Sequence, residues 1–477
     1  MQKVRIWGIS AADLLKQADI LKLRALHMYR LYSALLFVYF LVLLPAAGYA
    51  RWKHGKSFGN IGERLGSLPA ISGDSSQRSI WIHAVSVGEV LSVRPLIRVL
   101  RSTCPDHRLV LSTTTVTGQK IAQSFGDEVD AVFYAPFDFD PFVRRTLNAV
   151  APELLIFVDT EIWPNLLRAC RGRGVRTVLV NGRLSDGSFK RYRLIKRFMS
   201  RVLDDVDHFC VQTEPWADRF VELGADPARI TVTGSLKFDA VGEQNVGFSS
   251  GVEETLLDIF SFSKSRPVLI AASTLRGEDE PVLRAFGQVQ AAVPDALLVI
   301  APRHPERFDE SKACAEEFGY RVHRRSDMPF EEPTDITVIL LDTIGELGCL
   351  FQIASAVFVG GSLVRAGGHN LLEPAVFGKA VVVGPHMENF AEVTEQFLKD
   401  SAVLQVQTPA ELTEALVSLM SDPGRRMRLG SMAASVVAAN RGSTQRCMSV
   451  IAGYVSANST THGRVLSSQD PGEGRLC

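Results

Sequence analysis

Short, almost wholly apolar runs recur along this chain, separated by segments with the length and spacing of amphipathic helices. From Ser79 the runs are SIWIHAVS, LVLSTTT, AVFYAPF, LLIFVDT, RTVLVNGR, HFCVQT and ITVTGS, with helical stretches at 88–100, 118–125 and 162–171 among them. A strand that is apolar on both sides has to be covered on both sides, so the alternation predicts a mostly parallel sheet with helices on either face. A polar, Gly-rich stretch, AVGEQNVGFSSG, follows and reads as a linker. Beyond it comes a second set of runs: PVLIAAST, ALLVIAPR, ITVILLDT, SAVFVGG and AVVVGP. The expected fold class is therefore α/β, two Rossmann-like doubly wound domains facing across a cleft, with ligands bound at the carboxyl ends of the strands. At 477 residues, 46% of them hydrophobic, the chain has material for two cores rather than one. The expected segments are an N-terminal extension and anchor at 1–56, a first domain at 57–240, a linker at 241–251, a second domain at 252–455 and a disordered tail at 456–477.

A formal net charge of zero gives no electrostatic case for a nucleic-acid partner. Seven cysteines without a C-x-x-C pair fit a reducing compartment and argue against a disulfide framework or a zinc site. His83, His304, His369 and His386 are too far apart in sequence to suggest a metal site, so neither metal nor cofactor is expected. No G-x-G-x-x-G follows the opening strand of either half and no G-x-x-x-x-G-K-[ST] occurs, which argues against a dinucleotide dehydrogenase and a P-loop NTPase.

At the N-terminus, Leu14, Leu15, Ala18, Leu21, Ala25 and Met28 form an apolar face with Lys16, Lys22 and Arg24 elsewhere, a pattern that suits a helix on a membrane surface. Between Arg30 and Arg51 there is no charge, and LYSALLFVYFLVLLPAAGYA is about long enough as a helix to cross the roughly 30 Å hydrocarbon layer. A membrane-anchoring helix is expected; the alternatives are a signal peptide ending near Ala47 or Ala50, or a buried core helix. Arg51, Lys53, His54 and Lys56 fit a cytoplasmic flank.

The stretch SAVFVGGSLVRAGGHNLLEPAVFGKAVVVGP, Ser355–Pro385, carries the densest chemistry. It reads as a strand at 356–359, two Gly pairs, a helix over Asn370–Phe377 and a second strand at 380–383. The pattern has two readings, a simple turn between strands or a loop whose backbone approaches an anion near Gly368 to Leu371, with Glu373 set to accept from sugar hydroxyls. Other groups stand just past strands. Glu89 is either a general base or a complement to a helix dipole. Asp159 and Glu161 tune a base, orient a hydroxyl or cap a helix. Lys237 neutralises a developing negative charge or is simply solvated. Arg303 has the planar fork that grips a phosphate or carboxylate, and Gly345 and Glu346 open a further loop on the same edge. The residues alone point to a membrane-anchored, two-domain enzyme handling a sugar nucleotide.

The motifs HAVSVGE, TEIWPN, VTGSLKFD, PRHPERF, DTIGEL and GGSLVRAGGHNLLEP, in this order, resemble those of the 3-deoxy-D-manno-octulosonic acid (Kdo) transferases of lipopolysaccharide synthesis. The resemblance spans about Ile61 to Val455. It implies the GT-B fold, CMP-Kdo as donor, the lipid A precursor lipid IVA as acceptor, and a place on the cytoplasmic face of the cell inner membrane. It places the general base on Glu89, transition-state stabilisation on Asp159 and Lys237, and CMP binding on Pro302 and Arg303, on Ile344, Gly345 and Glu346, and on Asn370, Leu371, Leu372 and Glu373. The family usually has Glu where this chain has Asp159, a carboxylate shorter by one methylene. The implied reaction is inverting, with no metal required. Glu63, in the GER stretch after the anchor, reads as surface or lipid-facing. Two other readings fit the same groups: a GT-B transferase using a UDP-sugar and a lipid acceptor, and a non-catalytic membrane-anchored protein that binds nucleotide sugars.

Overall fold

The structure is a computed structural model that describes residues 27–42, 59–69, 77–244, 266–328 and 336–455. The expected helix at the extreme N-terminus, the basic cluster at 51–56, most of the linker and the tail lie outside these residues.

The first sheet is built from Ser79–His83 (β1), Arg108–Thr113 (β2), Ala131–Tyr134 (β3), Pro152–Val158 (β4), Arg176–Gly182 (β5), His208–Val211 (β6) and Ile230–Val232 (β7), in the order β3-β2-β1-β4-β5-β6-β7. All its pairings are parallel. The second contains Val268–Thr274 (β8), Leu297–Pro302 (β9), Val322–Arg324 (β10), Val338–Leu340 (β11), Ala356–Val359 (β12), Ala380–Val383 (β13) and Leu404–Gln405 (β14), in the order β10-β11-β9-β8-β12-β13-β14. It too is parallel throughout. The inner strands β1, β12 and β13 are buried along their whole lengths and β8 is buried at all positions but Ser273, which is why they read as continuous apolar runs. Two doubly wound domains are thus borne out. The strands that sequence reasoning missed, β10 and β14, are edge strands of three and two residues, partly exposed and without an apolar run.

Two helices cross between the domains. Lys237–Gln244 leaves the first domain and buries Phe238 and Val241 in the core of the second, so the connection begins as a packed helix rather than as a loose linker. At the far end, the helix Ser443–Ile451 packs back on the first domain, where Cys447, Met448 and Ile451 join a cluster with Ile82, Val90 and Leu236. Asp239 fixes this return by accepting from Gly442 N at 2.8 Å and Thr444 N at 2.6 Å. The second domain expected at 252–455 therefore gives its last helix to the first.

Residues 27–42 form a helix laid along the first domain. Tyr29 donates to Asp205 at 2.7 Å, Tyr32 to Asp138 at 3.0 Å, and Ser33 accepts from Asn165 at 3.0 Å. Among the described residues no helix is long and apolar enough to cross a membrane. Leu31, Leu35, Val38 and Val42, spaced to share one face, remain exposed. Glu63 is not lipid-facing: its carboxylate accepts from Asn60 Nδ2 and from Tyr134 N, both at 2.8 Å, and pins the short helix Ile61–Arg64 to the edge strand β3.

Ile451 is fully buried, so Ile451→Ala is expected to cost about 2–4 kcal/mol. Denaturant unfolding, with amide exchange in β1 and the helix Val87–Thr103 as the local readout, should place that loss in the first domain.

Candidate active site

The carboxyl ends of the two sheets enclose a cleft of about 680 Å³. Strand order reverses between β1 and β4 in the first sheet and between β8 and β12 in the second. The loops leaving these strands diverge there and open the cleft. The first domain supplies Glu89, Asp159, Arg183 and Lys237 to its wall, and the second supplies Arg303, Gly345, His369, Asn370 and Glu373.

Glu89 lies in the first turn of the helix Val87–Thr103, where it closes a cap that resembles a capping box but reaches one residue further back, to Val85 N. Ser86 accepts from Glu89 N, while the Glu89 carboxylate accepts from Val85 N and from the Ser86 hydroxyl, both at 2.8 Å. The side chain caps the helix and still faces the cleft, so neither of the two roles left open in the sequence excludes the other. Burial, reinforced by the charges of Asp159 and Glu161, raises its pKa to about 7 against the pull of those two donors. A carboxylate poised there exchanges protons near neutrality.

Asp159 follows β4 with φ +60, in the left-handed region that a non-glycine residue enters only when its surroundings hold it. Both carboxylate oxygens are taken: Asn181 donates to Oδ1 at 2.5 Å and Arg183 Nε to Oδ2 at 2.9 Å. Asn181 is fully buried, and its carbonyl Oδ1 accepts from Leu236 N at 3.0 Å. One carboxamide therefore registers Asp159 against the turn that presents Lys237. The Lys237 ammonium donates to Asn389 O at 3.2 Å and lies 5.0 Å from the Phe390 ring centre, both in the second domain. Burial lowers its pKa, with Asp159 opposing and Arg183 adding to the shift. Glu161 is not on the cleft wall; it accepts from Trp163 Nε1 at 2.9 Å, and burial together with Asp159 raises its pKa.

On the donor side the Gly-rich loop is held by a residue that sequence reasoning missed. Glu278 is fully buried, and its carboxylate accepts from Leu275 N, Gly361 N, Ser362 N and Leu363 N at 2.7–3.0 Å. Gly360 can only be glycine here, since a Cβ would stand 2.5 Å from Ser273 O. Gly368 has φ +74, and a Cβ there would meet Met387 Sδ at 2.3 Å.

The helix expected over Asn370–Phe377 is shorter, Leu372–Val376, because the Asn370 side chain turns back to accept from Leu372 N at 3.1 Å and Gly378 ends it with φ +64. That amide is thereby committed inside the loop, and Arg303, exposed just beyond β9, brings a guanidinium to this wall. Beside it, burial and the charges of Arg303 and His304 lower His369 to about 4, so its imidazole is neutral. Glu373 receives a hydrogen bond from Asn370 at 3.1 Å, and burial raises its pKa.

Several predicted positions do not present side chains to the cleft. Leu371 and Leu372 are core residues and Pro302 is buried in β9. Ile344 is 83% exposed, and Glu346 accepts from Arg325 at 3.1 Å and Thr343 at 2.6 Å. Of the 344–346 segment, Gly345 alone lines the cleft. Asn181, Arg183 and Glu278 were not singled out in advance; the polar ends of the apolar runs VLVNGR and VLIAAST were the available signal for the first two and for the loop that Glu278 holds.

Replacing Glu278 by Gln turns an acceptor oxygen into a donor facing backbone N–H groups. Glu278→Gln should destabilise the second domain by about 3 kcal/mol and speed amide exchange at 361–363, measured by thermal unfolding and hydrogen exchange.

The family model for 3-Deoxy-D-manno-octulosonic-acid transferase (kdotransferase) matches residues 59–240. The chain is 34% identical over 430 residues to a 3-deoxy-D-manno-octulosonic acid transferase of Haemophilus influenzae, covering 90% of this chain and 99% of that protein. It is 32% identical over 427 residues to the Bordetella pertussis protein of the same name, covering 86% and 96%. Among solved structures, the UDP-GlcNAc 2-epimerase of Neisseria meningitidis bound to UDP-GlcNAc superposes with a TM-score of 0.57 at 12% identity, covering 79% of this chain and 100% of that one. At that identity the likeness is one of fold, the GT-B pairing of two parallel α/β domains. By the level and extent of its identity to the Haemophilus and Bordetella proteins, the chain belongs to the 3-deoxy-D-manno-octulosonic acid transferase family.

Proposed function

We propose that this Kdo transferase moves Kdo from CMP-Kdo to a glucosamine hydroxyl of lipid IVA, with inversion, on the cytoplasmic face of the inner membrane. One observation carries the reading: a carboxylate with a pKa of about 7 faces a cationic, glycine-lined wall across the same cleft. In this scheme Glu89 removes the hydroxyl proton as the oxygen attacks the anomeric carbon, and the bond from that carbon to the phosphate oxygen breaks with both electrons going to CMP. Arg303 and Lys237 stabilise the charge gathering on the departing phosphate, and Asp159 holds the cationic groups of the first domain in place. Asn370, Glu373, Gly345 and the glycine-rich loop bind the nucleotide and the sugar hydroxyls.

The membrane placement is supported by the outer surface of the first domain. Leu31 and Leu35 of helix 27–42, with Leu194 and Ile195, line a groove of about 970 Å³ edged by Arg193, Lys196 and Arg197. Apolar side chains rimmed by cations suit contact with an anionic lipid surface.

The test is mass spectrometry of lipid IVA incubated with the detergent-solubilised full chain and freshly generated CMP-Kdo. Wild type should add one or more Kdo units, and Glu89→Gln should be slower by about 10²- to 10⁴-fold. Equal rates would remove Glu89 as base; transfer from a UDP-sugar instead would overturn the donor.

The pH dependence follows from the direction of the shift. Glu89 acts as base only when ionised, so the rate should fall as pH drops below about 7. Because its folded pKa is raised, ionised Glu89 costs stability once pH climbs through the unfolded value toward about 7, and the cost persists above it. Glu89→Gln should therefore unfold no earlier than wild type at pH 8, a comparison made by calorimetry.

A further inference from the structure

Arg183 is the first residue beyond β5, and its guanidinium joins the two domains. Nε donates to Asp159 in the first domain at 2.9 Å, and Nη1 donates to Glu392 in the second at 3.0 Å. The Asp159 side chain is 6% exposed and that of Glu392 20%. Glu392 is in the first turn of the helix Ala391–Lys399, and the chain just before it also receives Lys237 through Asn389 O. Asn389 in turn donates its backbone N–H to Gly367 O at 2.9 Å, and Met387 packs where a Cβ on Gly368 would stand. A single segment, 387–392, thus touches the glycine-rich donor loop on one side and the cations of the first domain on the other.

We propose that Arg183 is a positioning residue that couples the register of the donor loop to the orientation of Asp159, through Glu392 and the 387–392 segment. The inference rests on the functional reading above for the identity of the donor. The span favours a planar fork: a guanidinium directs N–H groups from separate nitrogens along fixed, diverging lines, whereas an ammonium gathers its three donors on one atom and reaches less far between two carboxylates. The burial of Arg183 is opposed and overcome by Asp159 and Glu392, which hold its pKa above the ordinary value. Arg183 is therefore a fixed positive charge between the two carboxylates.

An ordinary interdomain ion pair would affect only stability, by at most about 1 kcal/mol at a partly exposed site. A coupling residue changes turnover and its pH dependence. The ionisable groups that share the cleft with Glu89 are Asp159 after β4, Arg183 after β5, Lys237 on the crossing helix, and Arg303, His369, Glu373 and Glu388 across the cleft; Glu161 acts on it from behind the wall. Arg183→Gln alters the charge of only one of these.

The experiment compares Arg183→Gln, Arg183→Lys and Glu392→Gln with wild type as full chains in detergent, measuring kcat, the KM for CMP-Kdo and the acid limb of the pH profile. Arg183→Gln should lower kcat by about 10- to 100-fold and move the acid limb to higher pH, because Asp159 then acts on Glu89 uncompensated. Arg183→Lys should keep the acid limb near wild type by keeping the charge. Both Arg183→Lys and Glu392→Gln should raise the donor KM by about 3- to 10-fold, since neither retains the bridge to the second domain. A wild-type kcat and acid limb in Arg183→Gln with only a lowered Tm overturns the proposal, as does an unchanged donor KM in both bridge variants. If wild type itself transfers no Kdo, it is the functional reading that fails. The coupling is then read from amide exchange at 361–368 and 387–392, which Arg183→Gln should speed relative to wild type; unchanged exchange in both segments overturns it.

Discussion

The donor half of the cleft depends on one buried carboxylate. Glu278 gathers four backbone N–H groups from two different loops, which would otherwise be buried donors without partners, and so fixes where the chain goes after β8 and after β12. From that anchor the geometry propagates: Thr274 O accepts from Arg303 N at 3.0 Å and from Arg307 Nη1 at 2.9 Å, so the placement of Arg303 on the cleft wall is set by the same turn. The first domain repeats the device with different partners. Asp159, past the switch point of its own sheet, is held by a carboxamide and a guanidinium. Both switch points are thus organised by a buried acid with hydrogen bonds to both of its oxygens, which holds the loops around it where they depart from regular structure.

Glu89 differs from these two acids in its neighbours. It is held by one amide and one hydroxyl, both neutral, while two further carboxylates act on it. The contrast is one of partners: Asp159 is paired with a guanidinium and Glu278 gathers four backbone amides, whereas Glu89 has only neutral donors and, among the described residues, no cation paired with it. The cap adds orientation at little cost to basicity, since each hydrogen bond that stabilises the ionised form is outweighed by burial.

Much of this was legible in the sequence, for a physical reason. Central strands of a parallel sheet are apolar on both faces and announce themselves, and the residues that end them are the ones that reach a cleft; Glu89, Asp159, Lys237 and Arg303 all follow from that rule. What escaped depends on contacts between distant positions. The link of Arg183 to Glu392 spans 209 residues, and that of Glu278 to Gly361 spans 83. Edge strands β10 and β14, three and two residues long and partly exposed, are too short to show a hydrophobic period. The helix at 372 was misplaced by two residues because an asparagine side chain competed with the helix for its first amide.

The return of the helix Ser443–Ile451 to the first domain bears on how the molecule is made. Cys447, Met448 and Ile451 complete a core whose other members, such as Ile82 and Val90, leave the ribosome more than 350 residues earlier. Until those last turns emerge, the first domain carries an uncovered apolar face beside Thr233, the residue whose carbonyl later accepts from Arg446 at 2.8 Å. The first half of the polypeptide to be synthesised thus gains its last core residues only after the second half has been translated. Ordering of the catalytic wall on that domain is in this way tied to completion of the whole chain.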